Sequence, residues 1–251
     1  MREKWRGLRK EVRFQMEIVV ISSVNEAQAE CFTHRTAIVI DVLRATSTMI
    51  TALQSGASGV YPVETVLEAR TLQQEGDLLA GERFCRKIPG FDLGNSPEDF
   101  TPEVVKDRRI LLTTTNGTRA IHKALRADNV LAGAIINASA CARMALELKR
   151  DIVLLCAGSH DDFALEDGLC AGLFIDRLQA LSGIAVETDD FGAAMLGLYK
   201  NASTRILEPL HRSSTGKRLL KMGYGRDIER CGQIDSSIIV PRMQGDMIVQ
   251  G

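Results

Sequence analysis

The sequence predicts an α/β protein in which a sheet is layered between helices. Three observations carry this. Apolar runs of strand length recur along the 251 residues, most are followed by segments with apolar residues at three-to-four spacing, and several runs end in acids, hydroxyls and glycine. Buried strands of such proteins are near-continuous apolar runs whose carboxyl ends open onto the ligand crevice.

Residues 1–15 carry Arg2, Lys4, Arg6, Arg9, Lys10 and Arg13 with few apolar neighbours. They are expected to form a flexible basic extension rather than a nucleic-acid or membrane arm, with one domain over 16–251. The β-branched run at 17–21 opens that domain as a strand. The run at 37–43 is apolar apart from Asp41 and leads through Arg44 into a helix at 47–54. A helix is expected at 64–74, then a strand at 78–80. The Gly- and Pro-rich stretch 81–102 follows as a long connection, a kind that in compact domains is usually functional. Strands at 109–113, 130–136 and 152–156 alternate with helices at 118–126, 138–149 and 165–181. Beyond 185 the pattern is helical, clearest at 191–200, until short strands at 237–241 and 247–249. The carboxyl third therefore reads as a helical cover over the sheet.

Composition narrows the function. Apolar residues make up 45% and charged residues 25%, as in ordinary globular proteins, and the net charge is -1. Nothing here draws the chain broadly to nucleic acid or a membrane, so any anion recognition is local and the ligand small. Cysteines 31, 85, 141, 156, 170 and 231 show neither C-x-x-C spacing nor the density of a secreted disulfide scaffold. No stretch reaches the roughly 18 apolar residues of a membrane span, and the cytoplasm is the expected compartment. The residues leave oligomeric state open, a homodimer included.

Three strand ends could carry chemistry. In Asp41-Val42-Leu43-Arg44-Ala45-Thr46-Ser47-Thr48, Asp41 offers oxygen to a hard cation and Arg44 an anion-binding fork, or else Asp41 caps a helix and Arg44 pairs with a surface acid. In Thr113-Thr114-Thr115-Asn116-Gly117-Thr118-Arg119, amides and hydroxyls either cradle a phosphate or form an ordinary Asn-Gly turn. After Cys156, the loop Ala157-Gly158-Ser159-His160-Asp161-Asp162 leads to Glu166 and Asp167, which either complement a helix dipole or join Asp41 and Glu82 around Mg²⁺. His160 reads as part of an exposed turn. Other chemistries are set aside. Ser213-Ser214-Thr215-Gly216-Lys217-Arg218 is a failed P-loop with Arg218 in place of the hydroxyl, no G-x-S-x-G or G-x-G-x-x-G occurs, and the four histidines lack zinc spacing.

Together with Gly81-Glu82-Arg83, Gly90-Phe91-Asp92-Leu93-Gly94-Asn95-Ser96-Pro97, Asn137-Ala138-Ser139-Ala140 and Ala164-Leu165-Glu166-Asp167, these motifs closely resemble the 2-phosphosulfolactate phosphatase (ComB) family. The similarity runs in order from about Met16 to Pro241, departing around Ser159-His160-Asp161-Asp162. The resemblance implies that family's own layered α/β/α fold. It also implies a Mg²⁺-dependent phosphatase converting 2-phospho-3-sulfolactate to 3-sulfolactate and phosphate, a reaction of coenzyme M biosynthesis. On this basis Asp41, Glu82 and one of Glu166 or Asp167 are expected to hold Mg²⁺ directly or through water. Thr114, Thr115, Asn116, Gly117 and Thr118, with Ser47 and Thr48, are expected to hold the phosphate, and Arg44, Arg83 and Arg119 to take up the phosphate, carboxylate and sulfonate. The nucleophile is expected to be activated water, with an aspartyl-phosphate on Asp41 as runner-up. A non-catalytic sensor of a small phosphorylated or sulfonated acid is the alternative from another class.

Overall fold

The computed structural model describes residues 16–251, so the basic stretch 1–15 lies outside the described residues. In chain order the first elements are β1 (Met16–Ile21), β2 (Arg35–Ile40), α1 (Ala45–Gln54), β3 (Gly59–Pro62), α2 (Val66–Leu72), β4 (Leu78–Arg83) and β5 (Arg86–Lys87). Then come α3 (Pro102–Val105), β6 (Arg109–Thr113), α4 (Gly117–Ala124), β7 (Asn129–Gly133), α5 (Ala138–Glu147), β8 (Asp151–Cys156) and α6 (Leu165–Ser182). The last are β9 (Val186–Thr188), α7 (Asp190–Ala202), α8 (Leu207–Arg212), α9 (Ser214–Lys221), α10 (Gly225–Cys231), β10 (Pro241–Gln244) and β11 (Met247–Gln250).

The described strands form one sheet in the order β5-β4-β6-β3-β11-β10-β7-β2-β8-β1-β9. β7, β2, β8, β1 and β9 run parallel, and so do β3, β6 and β4. Between these two parallel blocks lies the antiparallel β10–β11 hairpin, which meets β7 at Arg242–Leu131 and β3 at Ile248–Val60.

Alternation along the strands divides their apolar side chains between two cores. Ile38, Ile40, Ile152 and Leu154 point toward Cys141 of α5, Phe174 of α6, Tyr199 of α7, Leu210 of α8, Leu219 of α9 and Ile228 of α10. Ala37, Val39, Val153 and Leu155 point the other way, against Met49 and Leu53 of α1 and Ala120 and Ile121 of α4. Helices therefore cover both faces, and the layered α/β/α arrangement with a largely helical C-terminal third is the one observed. On the outer layer α6 and α7 approach closely because Gly172 has no side chain; a Cβ there would run into the Met195 carbonyl.

Three differences from the sequence reading have local causes. The run at 130–136 stops being a strand at Gly133. There the Asn137 amide accepts from the Ala134 N–H (2.9 Å) and donates to the carbonyls of Ala132 (3.2 Å) and Ile239 (3.0 Å), turning the chain. The last of these bonds also ties down 237–240, which lie outside the ladder, so the terminal hairpin begins only at Pro241. Finally, 81–102 is a packed structure rather than a bare connection. β4 turns into β5 through Phe84 and Cys85, both at positive φ, as a tight two-residue hairpin requires. Ile88 and Phe91 are then buried with Leu79, Leu111, Val63 and Ala69.

Candidate active site

The carboxyl ends of β2, β8 and β6, the β4–β5 turn and α9 surround an open crevice. Its walls include Asp41 and Arg44 after β2, Gly158, Ser159 and His160 after β8, Thr115 and Asn116 after β6, Glu82, Phe84 and Cys85 at the hairpin, Asn95, and Thr215 and Arg218 of α9.

The β2–α1 corner explains its own run of hydroxyls. Thr46 Oγ1 donates to the Asp41 carbonyl (2.8 Å) and accepts the Asp41 N–H (3.0 Å), while Asp41 Oδ1 accepts the Ala45 N–H (3.1 Å). Ser47 donates to the Val42 carbonyl and Thr48 to the Asn95 carbonyl, and both are fully buried away from the crevice. These side chains lock the corner; they do not line the crevice with Asp41. Gly117 packs directly on that corner, and a Cβ there would lie 2.6 Å from Asp41 Oδ2.

Four buried acids gather here. Asp167 bridges two strand ends, its oxygens accepting the N–H groups of Val42 (2.9 Å) and Gly158 (3.0 Å). Glu82 accepts from the Thr115 N–H (2.8 Å) and hydroxyl (2.9 Å) and from the Cys85 N–H (2.7 Å). Glu166 is 2% exposed and accepts no hydrogen bond among the described residues. Burial, reinforced by Glu82 and Glu166, pushes the Asp41 carboxyl up to about 7 despite the Ala45 N–H and Arg44. Asp167 is raised well above the carboxylate range by burial and by the charges of Asp41 and Glu166. Burial likewise raises the Cys85 thiol, which argues against a thiolate nucleophile.

The donor set fits a hard divalent cation, with limits. Among the described residues no three acids, cysteines or histidines converge as a ready-made cage. Asp167 and Glu82 are committed to amides, leaving Asp41 and Glu166 as the less engaged carboxylates. Asn95, buried on the crevice wall with Asp41, has an Oδ1 with no donor among the described residues. Mg²⁺ needs only one or two carboxylates when waters and phosphate oxygens complete its shell, so excess buried negative charge with free oxygen suits it.

The arginines divide differently from the sequence expectation. Arg44 is 3% exposed and spends its charge on Asp227 (2.5 Å), itself bonded by Ser96 (2.7 Å), while its guanidinium lies 4.5 Å from the Tyr224 ring centre. Arg83 turns away, donating to the carbonyls of Glu82 and Glu64 and to Thr113. Arg119 pairs with Asp161 (3.0 Å) outside the crevice. Arg218 does line it, with Nη1 2.5 Å from His160 Nε2, and His160 stacks on Phe84 with ring centres 6.2 Å apart.

The phosphate segment is also reapportioned. Thr115 serves Glu82, and Thr114 and Thr118 bond each other. The N–H groups of Asn116 and Gly117 keep no acceptor among the described residues, at the start of α4, where a helix favours anions. Thus Asp41, Arg44, Glu82, Thr115 and Asn116 meet in the crevice, whereas Ser47, Thr48, Arg83, Thr114, Gly117, Thr118, Arg119, Glu166 and Asp167 do not line it. Sequence reasoning passed over Asn95, Thr215, Arg218, Tyr224 and Asp227 as functional residues. Arg218 was visible only as the residue that spoils a P-loop.

A family model described as 2-phosphosulpholactate phosphatase matches residues 21–246. The chain is 42% identical over 222 residues to a protein of Symbiobacterium thermophilum, covering 87% of this chain and 95% of that protein. It is 39% identical to one of Caldanaerobacter subterraneus subsp. tengcongensis, covering 90% of this chain and 94% of that one. Both are named probable 2-phosphosulfolactate phosphatase. The chain belongs to the 2-phosphosulfolactate phosphatase family. It is an enzyme of this kind, and the 2-phosphosulfolactate phosphatase match takes in every crevice residue from Asp41 to Arg218. No helix among the described residues is long and apolar enough to cross a membrane.

Proposed function

We propose that this enzyme hydrolyses 2-phospho-3-sulfolactate to 3-sulfolactate and phosphate, with Mg²⁺ as cofactor, in the cytoplasm and as a step of coenzyme M biosynthesis. The observation that carries the chemistry is Asp41. Its buried carboxyl is pushed up to about 7 beside the unpaired N–H groups of the β6–α4 turn.

Glu166 directly, and Asp41 and Glu82 through water, are the residues that would hold Mg²⁺. Bound there, the ion would offset the acids and draw charge from the phosphoryl oxygens. The N–H groups of Asn116 and Gly117 bind the remaining phosphoryl oxygens. Asp41 Oδ1 is fixed by Ala45, which leaves Oδ2 to orient the attacking water and hold its proton. The water oxygen then bonds to phosphorus as the ester P–O bond breaks, and the C2 oxygen leaves and takes up a proton from solvent.

Phosphate release from 2-phosphosulfolactate tests this. Activity is expected with Mg²⁺, is lost in chelator, and falls by a factor on the order of 10²–10⁴ in Asp41→Asn. No release from any 2-phospho acid would favour a sensor. A labelled phosphate trapped on Asp41 would replace water attack by an aspartyl intermediate.

A further inference from the structure

The substrate proposed above carries three anionic groups, yet the crevice offers few free cations. Arg44 is neutralised by Asp227, and Arg83 and Arg119 face elsewhere. Arg218 is different. It lines the crevice and has no carboxylate within 4.0 Å among the described residues. Thr215, one turn earlier on the same face of α9, is buried on the same wall, so helix geometry turns both side chains inward. His160 Nε2 accepts from Arg218 Nη1, and Phe84 backs the imidazole from the β4–β5 turn. The guanidinium is thus held at the crevice edge by a partner that brings no carboxylate, leaving its charge uncompensated.

We propose that Arg218, positioned by His160, receives the sulfonate of the substrate and sets the preference for sulfonated over plain 2-phospho acids. This rests on the phosphatase reading above. The phosphoryl group belongs with Asn116, Gly117 and Asp41. The carboxylate is attached to C2, the carbon bearing the phosphate, whereas the sulfonate lies one bond farther out on C3. It is the group that reaches a cation contributed by α9. A guanidinium fork can donate two parallel hydrogen bonds to the sulfonate oxygens.

The test compares Arg218→Gln and Arg218→Lys with the wild type on 2-phosphosulfolactate and on 2-phospholactate, which has a methyl group where the sulfonate arm would be. A parallel arm measures 3-sulfolactate and lactate binding by calorimetry. Arg218→Gln is expected to raise KM for 2-phosphosulfolactate about tenfold or more, with kcat within about threefold and KM for 2-phospholactate within about twofold. Arg218→Lys recovers part of the loss, and 3-sulfolactate binding weakens in parallel while lactate binding does not. An equal rise in KM on both esters, or no rise, would overturn the assignment while leaving the phosphatase reading intact. A wild type that releases no phosphate yet binds 3-sulfolactate through Arg218 would overturn the phosphatase reading and keep the subsite. Loss of both would sink both.

Discussion

Asp41 holds a carboxyl that burial makes reluctant to ionise, and this couples folding to pH. Its value is raised from 3.8 to about 7, so the native state binds the proton more tightly than the unfolded chain. The stability this lends is complete below about pH 4 and is lost as pH rises through about 7. In chelator the thermal midpoint is therefore expected to fall by several degrees across that window, and the fall should be shallower in Asp41→Asn. Added Mg²⁺ should remove most of it, because a bound cation replaces the proton. A midpoint that rises from pH 4 to 7 in chelator would contradict the burial argument. At this scale the sequence was partly legible. Asp41, Glu82 and Asn116 stand at strand ends, where apolar runs stop and polar side chains meet the crevice. Ser47 and Thr48 looked the same in the sequence, but their hydroxyls bond nearby carbonyls, and only coordinates separate a ligand hydroxyl from a locking one.

Elements far apart in sequence complete the crevice. α10 supplies Asp227, 183 residues from Arg44, and α9 supplies Arg218, 58 residues from His160. No periodicity signals such pairs, since each partner reads alone as one more charged helical residue. The Arg44–Asp227 pair is almost wholly buried, with side chains 2% and 1% exposed. Removing one partner of a buried pair typically costs about 3–5 kcal/mol, because the other charge is left without compensation. Asp227→Ala is therefore expected to lower stability by about that much in denaturant titrations, and activity with it, as the guanidinium is released beside the crevice acids. A loss below about 1 kcal/mol would mean that solvent reaches Arg44. The long apolar strands and their following helices were legible because many residues repeat one pattern. β3, β5 and β9, with four, two and three residues, carry too few side chains to show any period.

Over the whole molecule, the block β5-β4-β6-β3, parallel except for β5, comes from residues 59–113, while the block β7-β2-β8-β1-β9 comes from the chain on either side of it. Glu82 and Thr115 belong to the first block, Asp41 and Gly158 to the second, so the crevice exists only when the two are in register. The β10–β11 hairpin joins them, and deleting 241–251 is expected to yield a chain without cooperative unfolding or activity, checked by thermal melting and phosphate release. A truncated chain that melts like the full one would show that the helices alone align the blocks. Because the hairpin follows every other described strand in chain order, a nascent polypeptide emerging from the ribosome carries the unpaired edges of β3 and β7 until residues 241–250 are translated. Unpaired edges invite wrong partners. Productive assembly thereby waits on synthesis of the hairpin, and chains that stall before it would go to chaperones or proteolysis rather than into the enzyme pool.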